Sequence, residues 1–186
     1  MRKKLIVANW KSNKTPGEAL IWLENFTQLT KNLSSDSFEA VICPPYVDLP
    51  IISEKFRISD FGFRIFLGAQ DVSPFVDGSY TGAVSAGQMK GLISYCLVGH
   101  SERRKNFSET TALVEQKIDL LLAQKIKPII CAQTPEDIPK NIKNYSPEDI
   151  TIMFEPAKAI SSGGVYQAEN SNVVKTTLEC WRKQFG

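Results

Sequence analysis

Six short apolar runs, set apart by longer amphipathic or polar stretches, limit this chain's fold more than any other feature. They are Leu5–Trp10, Glu39–Cys43, Arg64–Gln70, Tyr95–Gly99, Pro128–Ala132 and Ile150–Phe154. Each has the length of a strand and is too short for a buried helix. They are near-continuously apolar rather than alternating, as parallel strands covered on both faces are. Strands alternating with helical segments predict a parallel sheet with helices outside it. Thr15-Pro16 opens a helix expected to reach about Leu33, with Trp22, Phe26, Leu29 and Leu33 on one face. Shorter helices are expected near Val47–Lys55 and over Ser85–Leu92. Ser108 is read as the cap of a helix running to about Gln124, with Glu109 in its first turn and Val114, Ile118, Leu121 and Leu122 as its inner stripe. Gln133–Asp149 holds three prolines and no strong helical pattern, and a last helix is expected over Asn172–Gln184. An open doubly wound sheet and a (βα) barrel both fit this pattern.

With 186 residues, the length favours a single domain spanning 1–186. The net charge of +2, from 22 basic and 20 acidic residues, leaves no footprint for nucleic acid or a membrane surface. No stretch approaches the ~18 apolar residues of a membrane helix. The basic start Met1-Arg2-Lys3-Lys4 is followed by an apolar run cut by Asn9 and Lys11, too short for a signal peptide. Cys43, Cys96, Cys131 and Cys180 form no CxxC pair, and three lie in apolar runs. Buried free thiols and a reducing cytoplasm are the expectation. One histidine and no cysteine pair predict no zinc site.

Chemistry in parallel α/β folds gathers at the C-terminal ends of strands. Three ends here carry residues suited to proton transfer. Glu155 follows an apolar run and precedes Pro156; in low-polarity surroundings such a carboxylate serves as a general base. Its plain reading is a solvated strand-end carboxylate. His100, the only histidine, fits an acid or electrophile acting on a carbonyl, or a hydrogen-bonded structural imidazole. Lys11 fits a phosphate or enolate partner, or an ordinary surface lysine. Glu102, Arg103 and Arg104 read at least partly as a local ion-pair network. Gly163-Gly164, after Ser161-Ser162, offers N–H groups for a phosphate, or a plain turn.

Taken together, Val7-Ala8-Asn9-Trp10-Lys11, Val98-Gly99-His100-Ser101-Glu102-Arg103-Arg104 and Phe154-Glu155-Pro156 resemble the triosephosphate isomerase family. Gly68–Phe75, leading to Gly78-Ser79-Tyr80-Thr81-Gly82, resembles that family's dimer-forming third loop, and Pro128-Ile129-Ile130-Cys131 its fifth strand. The likeness runs in order from Leu5 to about Val174. It implies a TIM-type (βα) barrel and the interconversion of glyceraldehyde 3-phosphate and dihydroxyacetone phosphate through an enediolate, a step of glycolysis and gluconeogenesis. Glu155 would take the carbon-bound proton; His100, neutral, would polarise the carbonyl and move protons between oxygens. Lys11 would stabilise the anionic substrate and enediolate. Asn9 would help position Lys11 and the substrate, Glu102 would support the site's hydrogen bonding, and the Ser161 N–H would meet the phosphate. No metal or organic cofactor is implied, because the carbonyl itself acidifies the neighbouring proton. The implied partners are the triose phosphate and a second copy of the chain, met through the loop around Phe75–Gly82.

The chain also departs from that family. It ends after a sixth strand and helix, so an incomplete barrel of about six parallel strands is expected, with edges at strands one and six and without the seventh and eighth strands' phosphate-binding turns. Lys158 stands where the family's lid has tryptophan, Ser161 where it has glycine, and Ala83 where the third loop usually has glutamate. Two functional readings follow: an active isomerase, or a catalytically impaired barrel acting only in assembly or partner binding.

Overall fold

The structure is a computed structural model that describes residues 3–33, 35–57, 61–160 and 167–185. Strand β1 spans Lys4–Asn9, and helix α1 spans Pro16–Thr30. Thr15 caps α1 as expected. Its side chain accepts the Glu18 N–H while the Glu18 carboxylate accepts the Thr15 N–H, which satisfies two otherwise unpaired donors. Strand β2 (Ser35–Cys43) runs through a turn at Tyr46–Asp48 into α2 (Leu49–Phe56), and β3 (Phe63–Ala69) precedes the short, Ser85-capped α3 (Ala86–Met89). Then come β4 (Tyr95–Val98), α4 (Ser101–Phe107), α5 (Thr111–Ala123), β5 (Lys127–Ala132), β6 (Thr151–Phe154) and α6 (Ser171–Phe185).

Two sequence expectations need correction. Trp22, Phe26, Leu29 and Leu33 do not form the buried face of α1. Ala19, Leu23 and Thr30 do, one residue round the helix, while Leu29 is 78% exposed. Trp22 and Phe26 instead stack on each other at the flank of the core, with Trp10 edge-on to Trp22. Leu33 lies beyond the helix end, where a 3.6-residue period no longer applies. Second, Ser108 ends a helix rather than starting one. Its φ of 54° closes α4, and Thr110 caps α5 by accepting the Leu113 N–H. Helix α4 was invisible to periodicity because its residues are polar apart from the exposed Phe107, and none is buried.

The strand order is β1-β2-β3-β4-β5-β6, every pair parallel and every neighbour consecutive in the chain. A doubly wound sheet reverses its order at a switch point, so this order removes one of the two closures the sequence left open. The six strands form a curled half-barrel with helices outside.

Alternation within each strand splits the core into two layers. Ile42, Cys96, Val98, Ile130 and Ala132 belong to the large cluster shared with the helices, which includes Val114, Ile118 and Leu121 of α5. Leu122, expected in the same stripe, is only half-buried. Val41, Cys43, Tyr95, Leu97, Ile129 and Cys131 form a second cluster on the opposite, inner face. Cys43, Cys96 and Cys131 are buried free thiols as expected, and burial pushes the Cys43 thiol up to about 12. Cys180 is also free but exposed. Among the described residues no helix is long and apolar enough to cross a membrane.

Candidate active site

The parallel register gathers the strand C-termini on one rim, pairing Asn9 with Cys43 and Ala132 with Phe154. At the β1 tip the Asn9 side chain accepts the Lys11 N–H at 2.9 Å and Lys11 takes a left-handed φ of 54°. The Gln70 amide, just beyond β3, donates to the carbonyls of Lys11 (2.8 Å) and Cys43 (3.0 Å), tying three strand ends together. The turn aims the Lys11 ammonium at Glu102, with Nζ 2.6 Å from Oε1.

At the β4 tip His100 caps α4. Its Nδ1 accepts the Glu102 N–H at 3.2 Å, so the ring proton sits on Nε2 and the imidazole is neutral. Nε2 lies 2.9 Å from Oε1 of Glu155, which follows β6. The other carboxylate oxygen of Glu155 accepts the Ser101 N–H at 3.0 Å. His100 and Glu155 are each 7% exposed. The base and electrophile candidates are thus buried, in contact and in defined hydrogen-bonding states.

Asn9, Lys11, His100 and Glu102 line one cavity of about 280 Å³, with Tyr46, Gln70 and Arg103 among its other walls. Glu155 does not line it and adjoins it through His100. Ser161, Ser162, Gly163 and Gly164 lie outside the described residues. A larger hollow, about 810 Å³, lies between α6 and the start of β6, and none of the candidate residues lines it.

Glu102, Arg103 and Arg104 are not one another's ion-pair partners, contrary to one reading of their adjacency. Side chains on successive helical residues point about 100° apart. Glu102 meets Lys11; Arg103 meets Asp71 and Glu109; Arg104 lies near Asp137. Behind the site Lys117 of α5 reaches Asp71 (2.6 Å) and Glu109 (2.7 Å). With the half-buried Arg103 the group carries two positive and two negative charges, and that balance makes the burial tolerable. Burial raises the Asp71 carboxyl above its ordinary range, against the pull of Lys117. Burial also pushes the Glu109 carboxyl up, but the Lys117 hydrogen bond and charge, with Arg103 and the Gly99 N–H, carry it below its ordinary range. Sequence reasoning missed this group and Gln70. One signal was present: Lys117 stands within the apolar stripe Val114, Ile118, Leu121, where a lysine needs a buried anion.

The family model described as triosephosphate isomerase matches residues 4–185. The chain belongs to the triosephosphate isomerase family. It is 37% identical to triosephosphate isomerase of Thermus thermophilus over 181 residues, covering 88% of this chain and 70% of that protein. It is 34% identical to the enzyme of Caldanaerobacter subterraneus over 192 residues, 94% of this chain and 75% of the relative. Against the Synechocystis enzyme the identity is 35% over 191 residues, covering 94% and 76%. Family membership and the sequential parallel sheet agree: the described strands correspond to a partial TIM barrel.

Proposed function

We propose that this member of the triosephosphate isomerase family interconverts glyceraldehyde 3-phosphate and dihydroxyacetone phosphate, with Glu155 as base, His100 as electrophile and Lys11 as the cation facing the developing negative charge. The observation that carries the assignment is the pairing of a neutral, Nε2-protonated imidazole with a buried carboxylate 2.9 Å away, beside a lysine on the same rim. The reaction needs a base to take a carbon-bound proton and a donor to stabilise the oxygen that becomes negative. Glu155 and His100 are one of each.

In this arrangement the two are in direct contact. A substrate carbonyl entering the cavity competes for the Nε2–H, and Glu155 is released to approach the carbon-bound proton. Carbonyl polarisation and carboxylate release are then one event, with no charged imidazole required. Lys11 Nζ, paired with Glu102, supplies positive charge at the cavity wall. Asn9 holds the Lys11 turn through its backbone N–H. Glu102 acts twice: its N–H fixes the imidazole proton on Nε2, and its carboxylate orients Lys11. The Ser161 N–H is assigned to the phosphate on the family resemblance. A coupled assay with glyceraldehyde 3-phosphate tests the base: Glu155→Gln should lower kcat by roughly 10²- to 10⁴-fold. Equal turnover by the two proteins would remove Glu155 from that role. Nothing in the structure or in the relatives favours the reading of a barrel that serves only assembly or partner binding.

The same reading extends to assembly and location. We propose one barrel-type domain over residues 1–186 that forms a homo-oligomer through the loop Phe75–Gly82. Phe75 and Tyr80 stack there at 4.3 Å between ring centroids, and both are exposed, as is Val76. Apolar side chains gathered and exposed at a loop tip support a contact with a second copy of the chain. Sedimentation of the parent and of Tyr80→Asp tests it, with a shift to smaller species expected. A cytoplasmic location is supported by the buried free thiols.

A further inference from the structure

We propose that Glu109 is a positioning residue that fixes His100 through the backbone of Gly99. This rests on the reading of His100 as catalytic. Gly99 precedes the imidazole-bearing residue and has a φ of +70°, which L side chains rarely adopt. A Cβ there would come within 2.6 Å of Arg104 Nη2 and 3.0 Å of Val114 Cγ2, so the turn is packed as well as bent.

Both polar groups of Gly99 are held by charged side chains. Its N–H donates to Glu109 Oε1 at 2.9 Å, and its carbonyl accepts Arg104 Nε at 2.8 Å. Hydrogen bonds to charged groups are the stronger kind. Glu109 is itself held: its Oε2 receives Arg103 Nε at 3.0 Å and Lys117 Nζ at 2.7 Å. Lys117 is anchored in turn on Asp71, at 2.6 Å. Arg104 is fixed at its other end by the Asp137 carbonyl and the Thr111 hydroxyl.

This network does more than neutralise buried charge. Its inner end is a peptide group one residue before the imidazole, and that peptide sets where His100 leaves β4. The far side of His100 is held by the first bonds of α4, in which its carbonyl accepts the N–H groups of Arg103 and Arg104. The ring therefore hangs between two clamped peptides. Loosening the first moves Nε2 relative to Glu155 and to the cavity without touching either.

Glu109→Gln tests this. The amide can still accept the Gly99 N–H, but its NH₂ then faces the donors of Arg103 and Lys117, so the clamp cannot be kept whole. His100 is the only histidine, so its ¹⁵N imidazole signals report ring environment and tautomer without assignment. In folded Glu109→Gln the expected results are displaced imidazole signals and a kcat lowered by up to about a hundredfold with KM little changed, the cost of misplacing a reacting group by about an ångström. Parental imidazole signals and parental kcat in that folded variant would overturn the proposal. Should Glu109→Gln not fold, Arg104→Lys is scored by the same two readouts, because it keeps the charge but removes the guanidinium donor to the Gly99 carbonyl, along with those to Thr111 and Asp137. His100→Asn separates the two levels. Parental activity in that variant would remove the catalytic reading, whereas the imidazole signals judge the positioning by themselves.

Discussion

The tips of β4 and β1 both deliver a side chain to the same cavity, yet they are built differently. Strand β4 is buried along its whole length between β3 and β5, and its tip is gripped by Glu109 and Arg104 from a buried charge network. Strand β1 lies at one side of the sheet, with Ile6 55% exposed and no residue of the strand fully buried. Its tip is held by neutral amides, Asn9 and Gln70, and by a Lys11–Glu102 pair whose side chains are 28% and 34% exposed. The imidazole, whose hydrogen bonds are directional and whose tautomer matters, sits on the rigid tip. The ammonium, a point charge that acts over a range of positions, sits on the softer one.

Stability should divide the two regions most sharply. Leu97→Ala in β4, where the side chain is fully buried, should cost about 2–5 kcal/mol. Ile6→Ala in β1 should stay within about 0.5 kcal/mol, as exposed substitutions do. Urea unfolding of both variants checks this, and equal losses would break the comparison. Lys11→Met should come next in size and reverse the pattern. A cation that acts only on developing charge is expected to cost about 10²- to 10³-fold in kcat when removed. The melting temperature should barely move, because exposed ion pairs contribute ~0–1 kcal/mol. Activity and melting measured on one preparation decide it.

The smallest effect lies in acid stability. Glu109 has a lowered carboxyl, so it contributes stability above the ordinary glutamate range, and this is lost as the pH falls through its lower folded value. Asp71, raised by burial, works in the opposite sense and gives no such loss. Circular dichroism against pH should therefore show an acid limb in the parent that is flatter in Glu109→Gln. Lys11→Met should leave that limb unchanged, since nothing at the β1 tip is buried in the same way.

The sequence announced the strands because parallel strands covered on both sides must be apolar throughout, and that signal survives without neighbours. Leu97 and Ile130 could be placed in a core from composition alone. The buried stripe of α1 could not, because Trp22 and Leu23 are equally apolar and only the sheet's position selects between them. Ser108 and Thr110 are both good caps. The choice fell to Thr110 once α4, a polar helix started by His100, had claimed the residues before it.

The chemistry divides the same way. Lys11, His100 and Glu155 stood out as candidates because strand ends are where this architecture exposes polar residues, and the resemblance to a known family is what implied their roles. What sequence determined by itself was the set of strands, the family and the three candidate side chains. The tertiary structure alone decided that Nδ1 accepts a backbone N–H, that Glu155 is docked on His100, and that Asp71, Glu109 and Lys117 share a buried network. Apolar burial leaves a mark at each position, whereas a hydrogen bond between residues 46 or 54 positions apart exists only once the sheet has brought them together.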